Sequence, residues 1–203
     1  MDGGTVTEWD QHAADWDGRA AVQTYAVKAF RSITSLAEET GFSLAGCSAL
    51  DFGCGTGLLT ERLANICAHI DAFDTSPSMR DVLSAKIDRH QWRHVRLLDQ
   101  LPPAPQRYDL IVCSSVLSFV DDYPEMVDML LGHLAMGGLF VQWDWELDPS
   151  DDQSHGFTRE QIRRTLTEAG LTSVAVGVAF EVTVDGSTMS PLIGSGCRPR
   201  PGS

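Results

Sequence analysis

Apolar residues along the chain follow two spacings. The first is helical. Trp9, Ala13 and Trp16 recur at i, i+4 and i+7, which predicts a short amphipathic helix within residues 1–18. Val22, Ala26, Phe30, Ile33 and Leu36 predict a longer helix over residues 20–40, stopped by Gly41. The second spacing is a short unbroken apolar run, which suits a strand buried on both faces. Ala49, Leu50 and Phe52 make the first run, and residues 69–73, 95–98, 108–113 and 139–145 make four more. Helical patterns lie between most of them. Leu59, Leu63, Ile66 and Cys67 form one face, and Met79, Val82, Leu83 and Ile87 another, the latter opened by Ser76 as N-cap and Pro77 as first helical residue.

A further helix is expected to open at Pro124, to bury Met126, Met129, Leu130, His133 and Leu134, and to end at Gly137–Gly138. His133 lies on its apolar face and reads as packed core. Thr158 with Gln161 makes a capping box for a last helix, which buries Ile162, Leu166 and Ala169 and stops at Gly170. Two strand-like runs, 173–184 and 190–196, are expected to form a closing hairpin around Asp185–Gly186. The tail at 198–203 is expected to be disordered. Strand–helix alternation means a parallel sheet with helices on both faces, here as a single α/β domain over 1–203. The hairpin adds an antiparallel strand near one edge.

The first strand carries the chemistry. Asp51 stands at its carboxyl end, and Gly53, Gly55 and Gly57 follow at alternate positions before the next helix. Glycines allow positive φ and let a ligand lie against bare backbone. The helix N-terminus beyond them suits a carboxylate or phosphate. A dinucleotide fingerprint reads G-x-G-x-x-G. Here an acid precedes the first glycine, where it would repel pyrophosphate and tolerate a sulfonium with an α-amino group. Asp74 ends the second strand, 21 residues after Gly53. An acid at that spacing accepts hydrogen bonds from ribose hydroxyls in nucleotide-binding α/β folds.

The stretch from Asp51 to Gly57 resembles motif I of the class I S-adenosylmethionine-dependent methyltransferases, and 108–120 resembles their motif IV. The 155–162 and 184–191 segments resemble a bacterial small-molecule subgroup. The resemblance implies a Rossmann-like, doubly wound, seven-stranded sheet in the order 3-2-1-4-5-7-6, with strand 7 antiparallel. It implies S-adenosylmethionine as cofactor, held by Trp16, Asp51, Gly53, Cys54, Gly55, Asp74, Thr75, Met79, Asp99, Gln100, Leu101 and Ser114. Asp99 would accept from the adenine amino group and Leu101 would cover the ring. Residues 1–18, with the pair Trp16–Asp17, would form a lid. Many members carry histidine where this chain has Ser118, so a histidine base is not expected there. Asp144 and His155 are the candidates for a catalytic base, by position near the fifth strand's exit.

Charge and cysteine content narrow the partners. A net charge of −13 argues against nucleic acid and against an anionic membrane surface. Cys47, Cys54, Cys67, Cys113 and Cys197 form no metal-like pair and read as reduced thiols of a cytoplasmic protein. Asp148, Asp151 and Asp152 lack calcium-loop spacing, and no metal is expected. The expected reaction is methyl transfer to a small-molecule oxygen or nitrogen. The alternatives are a non-catalytic S-adenosylmethionine-binding protein and a nicotinamide-dependent oxidoreductase.

Overall fold

The structure, a computed structural model, describes residues 6–103, 106–147, 155–184 and 187–202. The helices are α1 (Val6–Trp16), α2 (Ala20–Thr40), α3 (Leu58–Leu63), α4 (Pro77–His90), α5 (Tyr123–Gly132) and α6 (Arg159–Glu168). The strands are β1 (Ser48–Phe52), β2 (His69–Phe73), β3 (Val95–Leu98), β4 (Tyr108–Ser114), β5 (Leu134–Asp144), β6 (Thr172–Val178), β7 (Val182–Val184), β8 (Ser187–Met189) and β9 (Leu192–Cys197). A seven-stranded sheet runs in the order β3-β2-β1-β4-β5-β9-β6. Its first five strands are parallel, and β9 is antiparallel to both β5 and β6. This is the expected 3-2-1-4-5-7-6 order, with β9 as the seventh strand. The connections diverge on either side of β1, so the ends of β1 and β4 open on the crevice where ligands of such sheets bind.

The period of two along each strand divides the core between the two faces. Leu50, Phe52, Ile111, Cys113 and Phe140 pack with Leu130, Leu131, Ile162 and Leu166 of α5 and α6. Ala49, Leu110, Val112, Val141 and Trp143 pack with Ala29, Ile33, Leu59 and Leu63 of α2 and α3. The Trp143 indole, fully buried, donates to Ser32 Oγ at 3.0 Å, which removes the cost of an unpaired N–H. Three helix-end signals hold, whereas α3 stops at Leu63, so Ile66 and Cys67 lie past its end rather than on its face. Gly41 closes α2 in the left-handed region at φ 70°, Ser76 caps α4, and Thr158 with Gln161 forms the capping box of α6.

Three further expectations need correction. First, α5 stops at Gly132, and Leu134 already pairs with Tyr108 in β5. Leu130 and Leu134 are both buried, but in two different elements, so their helical spacing is accidental. Met129 is exposed rather than buried. Gly137 and Gly138 belong to an irregularity inside β5, where a Cβ on Gly138 would come within 2.9 Å of the Asp109 carbonyl. His133 is packed as expected, and its Nδ1 meets the Gln106 carbonyl at 3.2 Å. Second, the closing hairpin is split. β6 pairs with β9 directly, and β7 with β8 makes a separate two-stranded ribbon. Asp185–Gly186 lies outside the described residues. The main ladder ends at Pro191, whose carbonyl accepts from Ala179 and which has no N–H to continue. Third, the tail is anchored at its start. Arg198 exchanges backbone hydrogen bonds with Gly137 and Gly138, and its guanidinium donates to the Leu131 and Leu134 carbonyls.

Candidate cofactor site

β1 delivers the chain to the crevice, and the glycine turn reverses it. The backbone N–H groups of Gly53 and Cys54 both donate to the Phe73 carbonyl, at 2.8 and 2.9 Å. The glycines serve two ends. A Cβ on Gly53 would lie 2.4 Å from Val116, and one on Gly57 would lie 2.4 Å from Leu83. Those positions need bare backbone for packing. A Cβ on Gly55 would meet only Met79 Sδ, at 4.0 Å, so Gly55 faces open space. Asp74 then ties the turn to β2. Its Oδ2 accepts from the Gly55 N–H and its Oδ1 from the Ser76 N–H, both at 2.8 Å. Each oxygen keeps a further lone pair. Burial pushes the Asp74 carboxyl up, against those two N–H groups and the nearby Arg80.

Asp51 is fully buried one strand away. Thr60 Oγ1 donates to its Oδ2 at 2.6 Å, while Oδ1 has no partner among the described residues. Burial pushes its pKa up to about 7, opposed by the Thr60 hydrogen bond and reinforced by Asp74. A buried carboxylate with an unfilled acceptor is costly. An ammonium group, or a water held by one, would remove that cost.

The N-terminal segment lies over this turn. Ala13 is buried, and Trp9 meets Trp16 and Phe119 edge-on at 5.9 and 5.3 Å. Asp10 accepts from Ser76 Oγ at 2.5 Å and from the Ser78 N–H at 3.1 Å, so it shares the N-terminus of α4. Its carboxyl is held below the usual range, chiefly by Ser76. Asp17 accepts from Thr56 Oγ1 at 2.6 Å and pairs with the buried Lys86 at 2.5 Å. Lys86 also reaches Glu61 at 3.0 Å. The segment is therefore tied to the glycine turn, to α3 and to α4.

The structure gathers Asp51, Gly53, Cys54, Gly55, Asp74 and Met79 around one turn. The side chains of Cys54 and Met79 are buried beneath it, and Thr75 is exposed beside it. Trp16 is half-buried, with the Arg19 guanidinium 5.1 Å from its ring. Asp99 and Gln100 are exposed past the end of β3, and Leu101, partly buried, packs against the core cluster that faces α5 and α6. Asp10, Thr56, Thr60 and Lys86 were not singled out from sequence. Each is an ordinary helix or turn residue by pattern, and only the packing of α1 and α3 gives it a partner.

A second polar group sits where β4 and β5 end. Ser114 closes β4, and Ser115 takes φ 53° while its N–H donates to the Trp143 carbonyl at 2.7 Å. A non-glycine residue in that region is strained, and such strain gathers at functional turns. The Tyr25 hydroxyl shares a 2.8 Å hydrogen bond with Ser115 Oγ. Sequence reasoning missed Tyr25, which interrupts the apolar pattern of α2. Asp144 is fully buried, and burial pushes its pKa up to about 7. Tyr123 donates to Gln142 Oε1 at 2.7 Å, Gln142 donates to Asp144 Oδ2 at 3.2 Å, and the Ser118 N–H donates to Oδ1 at 3.3 Å. Ser118 Oγ is buried without a partner among the described residues. His155 is exposed instead, against Phe119 at 5.7 Å between ring centroids. Asp148, Asp151 and Asp152 lie outside the described residues. Among the described residues no helix is long and apolar enough to cross a membrane.

This is the architecture and glycine turn of the class I S-adenosylmethionine-dependent methyltransferases. Residues 50–140 match the family described as a methyltransferase domain. It is 38% identical over 105 residues to the ubiquinone biosynthesis O-methyltransferase of Xylella fastidiosa (strain M23), a match covering 49% of this chain and 42% of that protein. The chain thus spans less than half the length of that relative. Its fold is similar to the N-methyltransferase NodS of Bradyrhizobium japonicum WM9, solved with S-adenosyl-L-homocysteine. The TM-score is 0.73 and the identity 21%, over 97% of this chain and 100% of that one. It is also similar to the [4+2]-cyclase SpnF, with TM-score 0.69 and 16% identity over 85% and 82% of the two chains.

Proposed function

We propose that the chain binds S-adenosylmethionine and transfers its methyl group to a small-molecule oxygen or nitrogen, acting as one cytoplasmic domain. The observation that carries this reading is the joint geometry of Asp74 and Asp51. Asp74 holds Gly55 with one oxygen and Ser76 with the other, and each oxygen keeps a lone pair that a vicinal diol could use. Asp51 Oδ1 is a buried acceptor awaiting a donor, which fits the ammonium of an amino-acid moiety. Gly55 leaves the space at its own α-carbon open.

When bound, the cofactor supplies a methyl group made electrophilic by its sulfonium. The chain's own residues position the partners and exclude water. Leu101 would cover the adenine, with Asp99 and Gln100 at its edge. Trp16 and α1 would roof the site, and Ser114 would line it. The acceptor would lie at the ends of β4 and β5, walled by Trp9, Tyr25 and Phe119. There Asp144, reached through Ser118, is the stronger of the two candidates for holding a released proton, because His155 is exposed.

Calorimetry with S-adenosylhomocysteine and NAD in parallel tests the cofactor. A methyl-donor turnover screen over phenols, carboxylic acids and amines then tests the activity. The similarity to SpnF, a [4+2]-cyclase on the same fold, favours keeping a second reading in that screen. S-adenosylhomocysteine binding with no methylated product would support a non-catalytic or non-methylating role.

A further inference from the structure

The five cysteines are all free thiols, and two of them meet. Cys47 Sγ and Cys67 Sγ lie 3.2 Å apart, inside the core cluster between the sheet and helices α2 and α3. We propose that Cys47 and Cys67 form a redox modification site, a dithiol that a hydroperoxide converts to an intramolecular disulfide. The proposal stands apart from the cofactor reading.

The backbone already sets the two residues for such a bond. Cys47 leads into β1 and Cys67 leads into β2, its neighbour in the sheet. The Ala68 N–H donates to the Cys47 carbonyl and the Gly46 N–H to the Ile66 carbonyl, each at 2.9 Å. These two bonds clasp the chain on either side of the thiols. The sulfurs need to close by only about 1 Å to reach bonding distance of roughly 2.0 Å. The two thiols also have different characters. The hydrogen bond from Cys67 holds the Cys47 thiol below its ordinary range, while the Cys67 thiol is pushed up. Thiolate is the nucleophile, so Cys47 attacks and Cys67 resolves. Cys47 also lines a cleft of about 450 Å³ at the amino-terminal end of the strands, with Phe42, Asp109 and Met136. A small oxidant can reach it there, away from the glycine turn.

The chemistry balances. The Cys47 thiolate attacks one peroxide oxygen, the O–O bond breaks, and the leaving hydroxide takes a proton to become water. The resulting sulfenic acid is attacked by the Cys67 sulfur, the S–O bond breaks, and the departing hydroxide takes the thiol proton. Two thiols and one hydrogen peroxide give one disulfide and two waters. The bond joins positions 20 residues apart and encloses β1, the whole glycine turn and α3. Closing a loop of that size raises the melting temperature by roughly 5–10 °C.

The test uses the reduced, folded chain treated with hydrogen peroxide. Peptide mapping without reductant should find Cys47 linked to Cys67, with the intact mass lower by two hydrogens and the melting temperature raised. Cys67→Ser, checked for native circular dichroism, should form no disulfide and leave a sulfenic acid at Cys47 that dimedone traps. Cys67→Ala serves if the serine variant does not fold. Absence of the Cys47–Cys67 link in the folded chain, its formation only in denaturant, or preferential linkage of Cys47 to Cys197 would overturn the proposal.

Discussion

Asp74 and Gly55 are joined by a hydrogen bond of 2.8 Å, from the glycine N–H to Asp74 Oδ2. The acid that ends β2 thus fixes the one glycine of the turn that faces open space. Asp74→Ala should weaken S-adenosylhomocysteine by ~2–3 kcal/mol, because charge-assisted hydrogen bonds to the ligand are lost and Gly55 loses its tether. Calorimetry on the folded variant measures this. Unchanged affinity would make Asp74 a turn residue and nothing more.

The glycines should separate in an unfolding experiment. Gly53→Ala combines a strained φ of 72° with a Cβ 2.4 Å from Val116. Gly55→Ala adds a Cβ that meets nothing closer than 4.0 Å. Urea unfolding should show Gly53→Ala losing about 2–4 kcal/mol, from left-handed strain plus overpacking, and Gly55→Ala losing about 1–2 kcal/mol from strain alone. Ligand affinity should suffer in both. The reverse order of stabilities would contradict the packing around Val116.

Asp51 gives a pH dependence with a definite sign. Its folded pKa, about 7, is raised by burial. An unfolded aspartate titrates near ~3.9. A raised folded pKa contributes stability that is full below the unfolded value and is lost as pH rises through the folded one. The loss is at most about 4 kcal/mol above pH 7. Asp51→Asn cannot ionise, so it should melt higher than the wild type at pH 8 and show little gain at pH 4. Asp144, raised in the same direction, should leave part of the slope in the variant. Scanning calorimetry of the free protein at several pH values is the check. No gain at pH 8 would mean that the Asp51 carboxylate is better solvated than its burial implies.

The N-terminal segment should respond to ligand. Its ties are Asp10 to Ser76 and Asp17 to Thr56 and Lys86, and a helix this short depends on docking. Hydrogen exchange over 6–17 should slow when S-adenosylhomocysteine is added, and Asp10→Ala should speed it in the free protein. Full protection without ligand would make α1 a fixed part of the core rather than a lid.

Much of this was legible because local signals and global fold agree. Asp51, the glycines and Asp74 lie at strand ends, and a strand end is marked by a short apolar run followed by a turn residue. The capping residues Ser76 and Thr158 act within their own helices, so sequence alone places them. What was hidden depends on contacts between distant segments. Tyr25 meets Ser115 across 90 residues, and Asp10 meets Ser76 across 66. No local period encodes such pairs. The boundary of α5 was misplaced for the opposite reason: Leu130 and Leu134 satisfy a helical period, but the chain turns between them at His133.

We propose above all that the crevice over Asp51, Gly55 and Asp74 is built for S-adenosylmethionine. Titration of the wild-type chain with S-adenosylhomocysteine and with NAD, side by side in a calorimeter, tests it most directly. The expected result is one-to-one binding of S-adenosylhomocysteine at sub-millimolar concentration and no heat from NAD. Saturation by NAD with none by S-adenosylhomocysteine, or by neither, would contradict it.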